Sequence, residues 1–243
     1  MVASTSVTSK RLPGVESAPI MRVPDLVAGH WIWSFQGLES DILFVGKGPQ
    51  NDRTRAFQKI VSKPRLQLSW PRQIHSAQVL RAEHEGLCGD GDSLITERSG
   101  LSLSVVTADC VPIVIESNSH LATIHAGWRG LADGLIATTL EGVGGDPSSA
   151  RAWIGPAIGV CCYEVGPEVA DRVVATSAPD VLSDRQPRPH LDLPRAARVQ
   201  LAQGGVEDVR IVPVCTRCSS DWLWSYRRDG VRAGRNWTFA WRR

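Results

Sequence analysis

Three apolar runs lying close together, LSLSVVTA at 101–108, VPIVIE at 111–116 and LATIHAG at 121–127, constrain this chain's fold more than any other stretch. LSLSVVTA alternates and then runs apolar, as a strand covered on both faces does. VPIVIE and LATIHAG flank the polar turn SNSH and together predict a β-hairpin. GWRG at 127–130 then turns the chain into a predicted helix, LADGLIATTLEGV at 131–143.

The rest of the chain alternates between the same two element types. WIWSFQG (31–37) and DILFVGKG (41–48) predict two short strands closed by glycines, and TRAFQKIVSKP (54–64) a helix ended by proline. Residues 65–80 and 93–96 read as extended. Helices are predicted through PEVADRVVATS (167–177), with proline in the first turn, and PRAARVQLAQGG (194–205), ended by glycines. ARAWIGPAIG (150–159), VEDVRIVPV (206–214) and NWTFAW (236–241) read as strands. No repeat, low-complexity tract or shift of composition marks a linker, so residues 25–243 form one expected domain of mixed strands and helices. Residues 1–24, rich in Ser, Thr and Val, are expected to be a loose extension.

Composition narrows the function classes. A formal net charge of +2 and 21% charged residues name no polyanionic partner, and 42% hydrophobic residues suit a packed core. The first twenty residues hold no apolar stretch long enough for a signal peptide or a spanning helix, which predicts a soluble cytoplasmic protein with no membrane role. Six cysteines in such a chain are expected to stay thiols. Their chemistry is then metal binding or catalysis.

His75, Cys110 and His125 each stand at or just past the end of a predicted strand, beside Ser76, Pro112 and Gly127. Two imidazoles and a thiolate suit zinc and leave a fourth position open, the catalytic form of such a site. Their spacings of 35 and 15 residues match no local zinc motif. On local sequence alone, a structural histidine and a small core cysteine are the plainer readings. Arg129, in HAGWRG, offers a planar cation where the chain turns into a helix; the bland alternative is a surface arginine. Asp109 could orient a ligand, act as a general base or cap the turn. Cys161 and Cys162 are adjacent in a glycine-rich loop, where Cys161 is the candidate reactive thiol. Cys215 and Cys218 have the C-x-x-C spacing but no second C-x-x-C to complete a four-thiolate set, so they read as structural or incidental. The Arg/Trp-rich SYRRDGVRAGRNWTFAWRR invites a nucleic-acid reading, but charge elsewhere offsets it, and an arginine pair can equally bind one phosphate group.

With these residues laid out, the chain resembles the laccase-domain family, also called the multicopper polyphenol oxidase family and associated with purine nucleoside phosphorylase activity. Seven segments in the same order carry the resemblance: RQIHSAQV, GDSLIT, TADCVPIVI, HAGWRGL, IGPAIGVCCYEVG, HLDL and CTRCSSDWLWSYRRDGVRAGR, spanning residues 72–235. The resemblance implies that His75, Cys110 and His125 bind zinc, with copper the alternative metal, and that the fold is an α+β four-layer α/β/β/α sandwich of mixed sheets. It also implies phosphorolysis of adenosine, inosine and methylthioadenosine, with purine nucleosides and inorganic phosphate as partners, and deamination of adenosine. The match weakens before residue 70. SFQGLESDILFVGKG replaces the family's arginine with paired glycines and its Ser-Leu-Asn-Leu segment, and Leu223-Trp224 stands where the family has two phenylalanines.

In phosphorolysis the site must hold an anion, stabilise a developing sugar cation and assist the leaving base. Arg129 and the amides after HAGW are the candidates for the anion, and Asp109 is the carboxylate that moves protons in deamination. Three rivals remain. A copper oxidase would need many histidines, commonly in H-x-H pairs, whereas this chain has six and no such pair. A zinc- or thiol-dependent amide hydrolase acting on cell-wall precursors would use the same metal or Cys161. A non-enzymatic binding protein would follow if the divergent early segment closed the pocket.

Overall fold

In the computed structural model, residues 23–49, 51–183 and 188–243 are described. All but Val23 and Pro24 of the expected N-terminal extension therefore lies outside them. The strands in chain order are β1 (Asp25–Val27), β2 (His30–Gln36), β3 (Ser40–Val45), β4 (Gln67–Arg72), β5 (Val79–Arg81), β6 (Gly86–Asp90), β7 (Ser93–Thr96), β8 (Leu101–Thr107), β9 (Val111–Glu116), β10 (Leu121–Ala126), β11 (Arg151–Ile154), β12 (Leu182–Ser183), β13 (His190–Leu191), β14 (Asp208–Ile211) and β15 (Asn236–Arg242). The helices are α1 (Arg53–Val61), α2 (Trp128–Ala132), α3 (Leu135–Val143), α4 (Pro167–Ala175), α5 (Leu193–Gln203) and α6 (Tyr226–Asp229).

The strands form two mixed sheets, ordered β1-β2-β3-β15-β8-β4-β6 and β14-β11-β9-β10-β7-β5, with β12 and β13 as a separate ribbon. Trp33, Ile42 and Phe44 of the first sheet meet Val114, Leu121 and Trp153 of the second in one buried cluster between them. On the outer face of the first sheet, Ala56 and Phe57 of α1 pack on Ile32, Trp237 and Phe239. On the outer face of the second, Leu131, Leu135, Ala170, Ala197 and Leu201 of α2 to α5 cover Ile113, Ile124 and Ile154. This is the expected α/β/β/α layering. It follows from the sequence because strands with apolar residues on both faces must be covered twice.

The hairpin β9–β10 is the centre of the second sheet, paired from Leu121↔Glu116 to Ala126↔Val111, with every residue of both strands buried. Ser117 accepts from the His120 amide through its hydroxyl and closes the turn. Glu116 is buried too, and its carboxylate is satisfied by the amides of Leu38 and Glu39, each at 2.8 Å. Gly37 permits this, because a β-carbon there would lie 2.2 Å from Glu116 Oε2.

Three differences between the structure and the sequence reading have a plain physical reason. The helix predicted over 131–143 is broken into α2 and α3, because Gly134 takes φ 81. The extended stretch 65–80 bends after Arg72 and resumes at Val79, since the buried Asp92 gathers the amides of Ile74, His75 and Ser76. β6, with sequence GLCGD, has no β-forming pattern of its own and exists through parallel pairing with β4.

Candidate metal centre and cleft

Two connections that cross between the sheets, β4 to β5 and β8 to β9, converge on the end of β10. The first carries His75, the second Cys110, and β10 itself His125. Their donor atoms lie within 4.8 Å of one another, and the two imidazoles meet edge to face with centroids 4.8 Å apart. The structure thus brings together the three residues the sequence singled out. Gly127 makes room: a β-carbon there would stand 3.2 Å from both Cys110 Sγ and His75 Cδ2.

The backbone is strained at this spot. His75 has φ 58 and Asp109 φ 106, in the left-handed region that non-glycine residues seldom occupy. Each is held by polar contacts. Gln73 pairs its side-chain amide with both backbone groups of Val106, at 2.7 and 2.8 Å, which clamps the His75 loop to β8. Asp109 accepts from Thr216 Oγ1 at 2.6 Å and from the Arg227 amide at 2.7 Å, so both carboxylate oxygens are engaged.

Asp92, fully buried, is the organiser that sequence reasoning missed. Its Oδ1 lies 2.8 Å from His125 Nδ1 and also accepts from the His75 amide, while Oδ2 accepts from the Ser76 amide and hydroxyl. Anchoring Nδ1 leaves Nε2 of His125 to face the other donors. The only signal was its place in GDSLIT, one of the segments that carry the family resemblance.

The electrostatics follow from this packing. Burial works against a charged Cys110, but the positive charge of His125 and hydrogen bonds from both histidines bring its thiol down to about 6. Burial also disfavours a charged His125, yet the Cys110 thiolate and Asp92 hold it up at about 9. Asp92, opposed by burial, is brought down to about 2 by His125 and Ser76. These shifts favour the thiolate of Cys110 beside a protonated His125. A thiolate and two imidazoles, with the fourth direction facing the cleft, fit a catalytic transition-metal ion.

The triad lies in a cleft of about 560 Å³ that also exposes Trp128, Arg129, Tyr163, Tyr226, Arg227 and Arg235. Arg129, in α2, rests its guanidinium 4.4 Å from the Trp128 ring centroid, and Arg227 lies 5.0 Å from that of Tyr163. The arginine pair seen in the sequence splits its work. Arg227 faces the cleft, whereas Arg228 turns away to bond the carbonyls of Thr216, Arg217 and Leu223. Cys161 does not line the cleft; it stands with Cys162, Cys215 and Cys218, all four sulfurs within 4.8 Å of one another. The Cys215/Cys218 pair, expected to lack partners, finds them in the adjacent Cys161 and Cys162, which only the fold could reveal.

The model of the multi-copper polyphenol oxidoreductase laccase family matches residues 49–243. The chain belongs to that family. Among its relatives, a purine nucleoside phosphorylase of Pseudomonas aeruginosa is 33% identical over 198 residues, covering 79% of each chain. One from Escherichia coli is 33% identical over 199 residues, covering 79% of this chain and 80% of the relative. Of solved structures, a Neisseria meningitidis protein superposes with a TM-score of 0.76 at 27% identity, over 87% of this chain and 98% of the other. YlmD from Geobacillus stearothermophilus gives 0.74 at 28%, over 88% and 91%. The matched residues include the β4–β5 connection, the β8–β9 turn and the β10 end, hence the whole triad.

Proposed function

We propose that the chain is a zinc-dependent, cytoplasmic purine nucleoside phosphorylase acting on adenosine, inosine and methylthioadenosine, with adenosine deamination as a second activity of the same cleft. One observation carries the reading: a single cleft joins a Cys/His metal triad, three guanidinium groups and three aromatic rings. The names of the relatives support the purine nucleoside phosphorylase part of this reading.

The chemistry asks for these groups. Phosphate attacks the anomeric carbon of the ribose as the bond to the purine nitrogen breaks, so two anionic or electron-rich partners must be held in line. Arg129, Arg227 and Arg235 supply cations for the phosphate, and Trp128, Tyr163 and Tyr226 supply faces on which a purine can stack. The Tyr163 phenol, pushed up to about 12 by burial and the nearby Cys110 charge, stays protonated and can donate a hydrogen bond. Asp109 holds the Arg227 amide, and so positions that arginine, while its carboxylate borders the cleft, where each oxygen keeps a second lone pair through which a proton can pass. His75, Cys110 and His125 would hold zinc, which supplies Lewis acidity at the cleft floor when bound.

Zinc fits the donors better than a multicopper centre. His30, His84, His120 and His190 lie outside the triad, and the described residues offer just one further Cys/His/acid group, the four cysteines. Cys161 does not line the cleft, so the thiol that a hydrolase would find there is Cys110, which belongs to the metal triad.

The deciding experiment incubates metal-replete protein with adenosine, inosine, guanosine and methylthioadenosine, each with and without phosphate, and follows bases, ribose 1-phosphate and inosine by chromatography. Phosphate-dependent release of free base is expected, together with phosphate-independent inosine from adenosine. Turnover of amide substrates without any nucleoside turnover would overturn the reading.

A further inference from the structure

The cleft accounts for one cysteine of the six. Cys88 lies half-buried in β6, and the remaining four converge from two loops far apart in the chain. Cys161 and Cys162 come from the loop between β11 and α4, and Cys215 and Cys218 from the loop after β14. Ordinary packing does not explain their meeting, because Cys161 and Cys218 are exposed rather than buried in apolar surroundings.

The geometry points to an occupant: we propose that Cys161, Cys162, Cys215 and Cys218 form a second, closed zinc site with four thiolate ligands. Sulfurs 2.3 Å from a shared zinc in a tetrahedron stand about 3.8 Å apart. Here Cys161 Sγ and Cys218 Sγ are 3.7 Å apart, and Cys162 Sγ and Cys218 Sγ 3.4 Å. The backbone is arranged for a thiolate as well. The Gly159 amide points at Cys215 Sγ at 3.3 Å, and the amides of Arg217 and Cys218, two and three residues on, face the same sulfur. Amides directed at the first sulfur of a C-x-x-C turn stabilise the charged form that a metal requires. Four soft sulfur donors select zinc over hard cations and leave no position for substrate.

Such a site would staple the two loops that shape the cleft. Tyr163 directly follows Cys162, and Thr216, between Cys215 and Cys218, donates to Asp109. The chain pairs the same loops at Ala157↔Cys215. The ion would therefore fix the distance between Tyr163 and the segment leading to Arg227 without touching substrate.

The test is metal analysis of the full chain purified under reducing conditions. Two zinc ions per chain are expected. The His75→Ala, Cys110→Ala, His125→Ala variant should keep one, and Cys161→Ser with Cys218→Ser should also keep one. Should the cysteine variants fail to fold, wild-type protein still decides: alkylation mapped by mass spectrometry should spare these four thiols until a chelator is added, then label them. A disulfide among the four in the freshly purified protein, free alkylation before chelation, iron in place of zinc, or a triple variant devoid of metal would each overturn the proposal. None of these readouts depends on which nucleoside, if any, is turned over.

Discussion

The two clusters of side chains that could hold a metal ion differ in almost every physical respect. The triad mixes nitrogen and sulfur, is seated by strained backbone and a buried carboxylate, and opens on a cleft lined with arginines. The tetrad is all sulfur, lies partly at the surface and is seated by loop amides. Three ligands with an organised second layer suit a metal that must meet substrate, whereas four alike suit one that holds chain together. The contrast teaches that donor count and surroundings, rather than the presence of cysteine, separate a reacting site from a structural one.

The sharpest way to break the comparison is to empty each site separately. Replacing His75, Cys110 and His125 by alanine should abolish phosphorolysis while the melting temperature changes by only a few degrees, measured by chromatographic assay and calorimetry. Replacing Cys161 and Cys218 by serine should do the reverse in order of severity. Loss of a structural metal is expected to lower the melting temperature by roughly 10 °C, with activity at low temperature falling less than tenfold. If both variants lose activity and stability alike, the division between the sites is wrong.

Asp92→Asn sharpens the triad's side of the contrast. It removes the charge that orients His125, so zinc affinity should fall about 10- to 100-fold by competition with a chelator. The carboxylate's native pKa, about 2, lies below its ordinary 3.8. A lowered carboxylate pKa stabilises the fold above the unfolded value and ceases to do so as pH falls through the native one. Metal-free wild type should therefore lose about 2 kcal/mol between pH 4 and 2 that Asp92→Asn does not lose, read from urea midpoints.

The smallest effect on stability is expected at Arg129. Arg129→Ala should raise the phosphate KM about tenfold to a hundredfold, with a melting temperature within about 2 °C of wild type. A large loss of stability with unchanged phosphate kinetics would mark Arg129 as structural instead.

How much of this was legible in the sequence depends on range. The hairpin of residues 111–126, α1, α4, α5 and the closing strand declare themselves through local period and punctuation, since each is decided by its own residues. β6 does not, because GLCGD becomes a strand only when β4 lies beside it. The same holds at the site. Metal-ligating residue types at strand ends drew attention to His75, Cys110 and His125, and the resemblance selected them from other triplets. Asp92 carries no local signal of its own, and its role arises from amides 16 to 18 positions away. The four cysteines form a set only across separations of 56 and 57 residues, which no spacing rule anticipates.

The position of β15 carries a consequence for how the molecule comes into being. It lies between β3 and β8 in the middle of the first sheet, pairing Trp237↔Val45 on one side and Trp237↔Val106 on the other, yet it is the last of the described strands to be synthesised. Until it emerges, two neighbouring strands present unpaired amides and carbonyls to whatever else is nearby, the condition that favours misassociation of nascent chains. Completion of the first sheet therefore waits for residues 236–242, and a ribosome that stalls before residue 236 leaves a product with two open sheet edges.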